Sequence, residues 1–189
     1  MNKTILDYSL KIRVPITVFV AALTFTLTYF LSRPERDGIG YAPPQPIPFS
    51  HKLHAGEMAI DCQYCHTGVT ESRHALIPAT SVCMNCHTVA RKNKEAIVRL
   101  TEYHGEGKPL EWKRIHRVPD FAYFNHSVHV NKGIECAGCH GEVKDMDVIR
   151  QVSSFTMGSC LNCHREVHQR FPDLKGVNTG PEHCFACHR

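Results

Sequence analysis

The chemistry this chain can offer is concentrated in its 10 cysteines and 14 histidines. All ten cysteines fall into five pairs of identical Cys-x-x-Cys spacing, and a histidine follows each pair at once. The five are Cys62/Cys65/His66, Cys83/Cys86/His87, Cys136/Cys139/His140, Cys160/Cys163/His164 and Cys184/Cys187/His188. Random placement at this composition would give roughly 0.04 such motifs in the whole chain. The motif is therefore the organising unit of the sequence.

Cysteines at i and i+3 lie on one face of a helical turn, so two thiols can reach the two vinyl groups of one haem. The next residue then carries its imidazole under the iron as proximal ligand. A zinc ribbon needs such pairs two at a time, which strands one of five, and has no need of a following histidine. A thioredoxin-like redox motif occurs once within a βαβ pattern, which this sequence lacks. Structural disulfides have no reason to repeat one spacing five times. The sequence thus predicts five covalently bound haems c.

Nine histidines remain: His51, His54, His74, His104, His116, His126, His129, His168 and His183. Five irons need at most five distal ligands, so every iron can be bis-histidinyl. Such ligation fills both axial positions, lowers the potential relative to His/Met ligation, and leaves no place for a substrate on iron. An electron carrier is favoured over a haem enzyme. His51 and His54 stand just before the first motif in "FSHKLHAGEMAIDCQYCH", and His126 and His129 hold the same positions in "FNHSVHVNKGIECAGCH". The Pro-rich approach and Gly56 favour a tight turn at the first pair, splaying its two rings towards different porphyrins. His116 is expected as the fifth distal ligand, with His74 its main rival. Met157 is the methionine best placed to act as an axial ligand, although packing is the simpler role for it.

These sites need elements to position them. The two halves read as a duplication, with one two-haem unit at 49–87 and a three-haem unit at 124–189 that ends in "HCFACHR". Between them lies a linking region, 88–123. Within it, Ala96, Ile97, Leu100 and His104 share a helical face that Gly105 ends. His104 reads as a favourable charge at the helix end rather than a ligand. Residues Val14 to Ser32 contain no charge, and at the helical rise of about 1.5 Å per residue they reach roughly 28 Å, enough to cross a bilayer core. Lys3, Lys11 and Arg13 precede this run, which by the positive-inside rule puts the N-terminus in the cytoplasm. No small-x-small cleavage site comes after it, so residues 1–33 are expected as an uncleaved anchor. Pro43, Pro44, Pro46 and Pro48 make 34–48 a stiff linker or a strap laid on a partner.

The soluble part has few aliphatic runs, too few for an ordinary core. The expected fold class is a small multihaem cytochrome c: mostly coil with short α-helices around a stacked haem core, plus one N-terminal transmembrane helix. The formal charge of +4 becomes about −1 with five ferric bis-His haems at roughly −1 each, a balance that predicts neither nucleic-acid binding nor a strongly steered partner. The clusters Arg91/Lys92/Lys94 and Lys113/Arg114/Arg117 are expected as solvated faces or propionate partners rather than a docking patch.

The Phe-x-His-x-x-His pattern ahead of Cys-x-x-Cys-His resembles the class III multihaem cytochromes. Carried over, that resemblance implies that His51 serves the haem on Cys62/Cys65 and His126 the haem on Cys136/Cys139. His54 and His129 would each serve another haem of their own half. More widely, "PIPFSHKLHAG", "IPATSVCMNCH", "EWKRIHRVPDFAYFNHSVHV" and "MGSCLNCHR" resemble the pentahaem cytochrome c subunit (ActA) of alternative complex III, over about Tyr41 to Arg189. That family implies a bacterial inner-membrane quinol oxidoreductase with its haem domain on the periplasmic side. It further implies an iron–sulfur subunit, polytopic quinol-binding membrane subunits and a monohaem cytochrome subunit as partners. A soluble cytochrome c or copper protein would be the acceptor, and this chain itself would carry no catalytic site.

Overall fold

The computed structural model describes residues 7–32 and 38–188, which belong to two separate compact units, the second beginning at Gly38. In the first unit a π-helical turn, Ser9–Arg13, leads into helix α1, Val14–Leu31, with Pro15 just after the junction, where its missing N–H removes one bond to the preceding turn. The apolar run Leu10–Leu31 is long and apolar enough to cross a membrane. Thr24 returns its hydroxyl to the Val20 carbonyl at 2.8 Å, so the threonine adds no unpaired polar group to the helix surface. Lys3 and Arg33, which flank this run, lie outside the described residues.

The second unit contains no β-strand among its described residues. It is built from helix α2 (Cys62–Cys65), α3 (Thr80–His87), α4 (Glu95–Gly105), α5 (His126–Val130), α6 (Ala137–His140), α7 (Met157–Arg165), α8 (Val167–Arg170) and α9 (Cys184–Cys187). With α1, helical turns take up close to half of the described chain, more than the mostly-coil expectation. The reason lies in the motif itself. Each Cys-x-x-Cys-His closes a helical turn, in which His66, His140 and His188 donate their backbone N–H to the carbonyls of Cys62, Cys136 and Cys184, each at 2.9 Å. Local caps start several of these turns. Asp61 accepts from the Gln63 N–H, Asn125 from Ser127 and Thr156 from Ser159.

The proline-rich stretch departs from the linker expectation. From Gly38 onward the chain belongs to the second unit, and 38–48 runs as a strap across it. Gly40 donates to the Gln151 carbonyl at 2.8 Å, and Gln151 returns its N–H to Tyr41. The Gln45 amide donates to the Lys113 carbonyl at 3.0 Å while its oxygen accepts from the Lys113 N–H at 2.9 Å. Ile47 is buried beneath the strap. Proline supplies extended geometry without needing its own N–H partners, so a strap can be held by two or three polar contacts.

The helix expected in the linking region 88–123 forms as α4, with Leu100 4% exposed and Gly105 its last residue. It packs on α3, where the Thr80 hydroxyl meets His104 Nδ1 at 3.1 Å. Only Ile47, Val69, Leu100, Ile115, Met146 and Val167 are buried apolar side chains among the described residues, each from a different segment. No continuous aliphatic core joins the segments; histidines converge between them instead.

Candidate functional site

The first His pair is helical rather than a tight turn. His51 has φ −66° and ψ −34°, and Lys52–Glu57 continues it as a π-helical turn closed by Met58 N–H to the Leu53 carbonyl at 3.0 Å. A π turn is wider than an α turn, so residues i and i+3 diverge more strongly around its axis, and the two rings still splay. The turn is packed against the 3₁₀ segment Val143–Asp145. Lys52 N–H reaches the Met146 carbonyl, and the Lys144 carbonyl lies where Gly56 would carry a Cβ. That close approach is what Gly56 provides. The second pair lies on an α turn, α5, and keeps the same ring arrangement. Phe49 stacks on His54 at 4.3 Å and meets His51 edge-on at 4.9 Å; Phe124 stacks on His129 at 4.6 Å and meets His126 edge-on at 4.8 Å.

Across from these rings stand the histidines of the motifs. His54 faces His87 with ring centres 6.2 Å apart, His126 faces His140 at 6.4 Å with planes within 2°, and His129 faces His164 at 6.2 Å. An imidazole nitrogen bonds a metal at about 2 Å and lies about 1.1 Å from its ring centre, so two rings on one iron stand about 6.3 Å apart. Three pairs have that separation. His66 is the leading charged neighbour of His51.

Hydrogen bonding fixes which nitrogen is free. Nδ1 of His54, His66, His87, His126, His129, His164 and His188 points at the backbone carbonyl of Ser50, Leu76, Ala90, Arg73, Asn125, Pro181 and Phe121 respectively, at 2.7 to 3.2 Å. A donating Nδ1–H sets the tautomer that leaves Nε2 with its lone pair exposed, the arrangement of a metal-ligating histidine. Burial, then the neighbouring His66, His54 and His116, lowers His51 to about 4; burial, then His116, His126 and His66, lowers His140 to about 4. Neutral rings with unprotonated nitrogens fit an iron ligand. No three His, Cys, Asp or Glu side chains among the described residues converge to hold a bare ion. The paired rings, free Nε2 atoms and adjacent thiols thus fit haem rather than zinc.

The thiols themselves are all free, with none joined in a disulfide. Burial raises Cys83, Cys136, Cys139 and Cys160, and a thiol of another motif adds to the rise in each case: Cys65 for Cys83, Cys62 for Cys136, Cys163 for Cys139 and Cys187 for Cys160. Motifs one and two also touch through Asn85, which donates to the Tyr64 hydroxyl at 3.0 Å. Motifs four and five are joined by Arg165 and Glu182 at 2.7 Å. The five motifs therefore succeed one another in space as second, first, third, fourth, fifth.

The remaining candidates are placed less simply. His116 is half-buried, with its ring 4.4 Å from His140 and edge-on to it, too near for one iron between them. Its Nε2 is buried without a protein partner, and burial lowers its pKa while the Arg150 backbone opposes that shift. His74 lies in an exposed loop, where its backbone N–H meets the Ser72 hydroxyl. Met157 is 66% exposed at the start of α7. Around His188 the ring contact is with Phe121 at 5.7 Å. Sequence reasoning missed the seven carbonyl acceptors, because any residue can supply a carbonyl. It also gave no role to Phe49 and Phe124, although both are visible in the repeated Phe-x-His-x-x-His pattern.

Residues 122–189 match the family model described as cytochrome c7 and related cytochrome c. This segment of the chain is cytochrome c7-like. It spans α5 to α9 and so contains three of the five motifs and the second His pair. The chain is also 28% identical, over 166 residues and 77% of each chain, to the protein named menaquinone reductase, multiheme cytochrome c subunit, of Nitratidesulfovibrio vulgaris (strain Hildenborough). That similarity extends well beyond the cytochrome c7-like segment. Haem c is accordingly the cofactor that the fold family implies, and the donor set described above fits it.

Proposed function

We propose that this chain is the electron-transfer subunit of a membrane quinol oxidoreductase of the alternative complex III type. In this reading it relays electrons through five c-type haems to a periplasmic cytochrome c or copper protein. The observation that carries the reading is the set of three imidazole pairs at 6.2 to 6.4 Å, which would fill both axial positions of three of the five haems and leave those irons no place for a substrate. Haem c, when bound, supplies reversible one-electron chemistry. The chain's own residues do the rest. Cys62 and Cys65, Cys83 and Cys86, Cys136 and Cys139, Cys160 and Cys163, and Cys184 and Cys187 anchor the five groups. His66, His87, His140, His164 and His188 are the proximal ligands, and His51, His54, His126 and His129 the distal ligands of the first four sites. His116, whose buried Nε2 lacks a partner, is a further distal ligand. His74 and Met157 are secondary candidates. The seven carbonyl acceptors orient the rings and raise their basicity, which favours the ferric state and holds potentials low.

Placement in a complex draws on the relative, whose name makes it one subunit of a menaquinone reductase. The N-terminal helix would serve as an uncleaved single-pass anchor in a bacterial inner membrane, with the N-terminus cytoplasmic and the haem unit outside. An iron–sulfur subunit, polytopic quinol-binding subunits and a monohaem cytochrome would be its partners. Gentle detergent purification through a tag after Arg189, with mass spectrometry of the co-purifying chains, tests this. Stoichiometric iron–sulfur and polytopic subunits are expected. A pentahaem chain recovered alone and still reduced by quinol would overturn the subunit reading and place quinol oxidation on this chain.

A further inference from the structure

The second motif stands at one end of the spatial series, where it meets the first through Asn85–Tyr64 and Cys83–Cys65. Its proximal imidazole is tied to the next segment of the chain, since His87 Nδ1 points at the Ala90 carbonyl at 3.0 Å. Directly after Ala90 come Arg91, Lys92, Asn93 and Lys94. Arg91 adopts φ +56°, a left-handed conformation, and Val89 two residues before it is 79% exposed. A shallow groove of about 390 Å³ is lined by Val89, Arg91, Lys92, Asn93 and Lys94 alone, and a second, of about 630 Å³, runs from His87 and Met84 past Lys92 to Val98 and Glu102.

The cations here are clustered; others without a carboxylate partner among the described residues, such as Lys113, Arg114 and Lys175, stand singly or in twos elsewhere on the unit. Lys52, Lys108, Arg117, Lys144, Arg165 and Arg170 each have a carboxylate within 4.0 Å, whereas among the described residues Arg91, Lys92 and Lys94 have none. The carboxylates nearest in sequence are Glu95 and Glu102, against four cations when Arg99 is included. A positive rim around an exposed apolar spot, one hydrogen bond from the ligand of a terminal redox site, has the make-up of a transient docking surface. The apolar centre excludes water, and the rim raises the encounter rate.

We propose that Val89 and the Arg91–Lys94 rim form the docking surface for a small soluble electron-carrier protein with an acidic rim around its own redox centre. The second motif is thereby the exit of the relay. This inference rests on the electron-relay reading above and adds the site and charge of the acceptor to it.

The test uses the full holo-chain in detergent, reduced and mixed in a stopped-flow with two probes: a basic monohaem cytochrome c and the same cytochrome with its lysines succinylated. The two share one redox centre and carry opposite charge. The succinylated probe should be reduced about tenfold faster at low salt, and its advantage should vanish as ionic strength rises. Arg91→Glu/Lys92→Glu/Lys94→Glu should reverse the preference while leaving every haem potential unchanged. Lys92→Glu/Lys94→Glu, which spares the Arg91 turn, should give a smaller change of the same sign. Rates insensitive to salt and to both variants would overturn the docking surface alone. A variant that shifts a haem potential would also overturn it, because the cations would then be propionate partners. Failure of the reduced wild-type chain to pass electrons to either probe at any salt concentration would overturn the relay reading beneath it.

Discussion

Truncating His129 to alanine isolates one axial position. Its ring centre stands 6.2 Å from that of His164, with Nδ1 bound to the Asn125 carbonyl at 2.7 Å and Phe124 stacked on it. The ring facing His129 across that separation is His164, and His126 on the same turn is already paired with His140. Removing the ring should therefore open one distal site of five and leave the other four spectra unchanged. Carbon monoxide binds a reduced haem with a free axial position, so the reduced variant should take up one equivalent more per chain than wild type. About one fifth of the ferric haem should pass from low to high spin. The structural cost is modest: the lost hydrogen bond contributes about 1 kcal/mol, and the unstacked Phe124 adds about as much again. The assay is carbon monoxide titration monitored in the Soret band, with spin quantitation by electron paramagnetic resonance. No added equivalent would mean that another group ligates the fourth site, and two or more would mean that the rings are not independent. Either result would refute the pairing derived from the ring separations.

Three further outcomes rest on individual contacts. Gly180→Ala would drive a methyl group into the His164 ring, whose Nδ1 is held by the neighbouring Pro181 carbonyl; potentiometry should show one haem shifted while the others hold. Gln45→Ala removes both hydrogen bonds to Lys113 and should cost about 2 kcal/mol, read as earlier proteolysis of the strap at 38–48 with the haem spectra intact. Leu100→Ala empties the best-buried position on α4 and should lower stability by about 2–5 kcal/mol in denaturant melts of the holoprotein.

Much of this arrangement is legible in the sequence because the motif carries its own geometry. Cys-x-x-Cys-His is a helical turn wherever it occurs, so five short helices can be placed from spacing alone. The face formed by Ile97, Leu100 and His104 likewise announces α4. The His pairs can be found by repetition, yet their rings' targets depend on long-range packing. Nothing local to His66 marks the Leu76 carbonyl, and nothing near His188 marks Phe121, 67 residues away. The tight-turn expectation at His51 fails because it takes Gly56 for a turn residue. The glycine's role is instead to admit the Lys144 carbonyl beside a π turn. The strap resembles a spacer in sequence because proline fixes conformation without saying what the segment lies on. His116 stands against His140 for the same kind of reason: Arg150 and Phe155, which position it, come from a distant loop.

The Arg73 carbonyl gives the apparent duplication an asymmetry. It accepts from Nδ1 of His126 at 2.8 Å, and the same loop binds the Ser127 N–H through the Ser72 carbonyl and the Asn131 amide through the Thr70 carbonyl. The first half thus orients a ligand of the second, while the equivalent ring in the first copy, His51, has an Nδ1 with no such acceptor. Copies that began as equals are no longer interchangeable modules. A second half expressed alone would keep its motifs and lose the Arg73 carbonyl that aims its leading imidazole. Recombining halves from related chains should then succeed only when the 70–73 loop travels with the segment it serves.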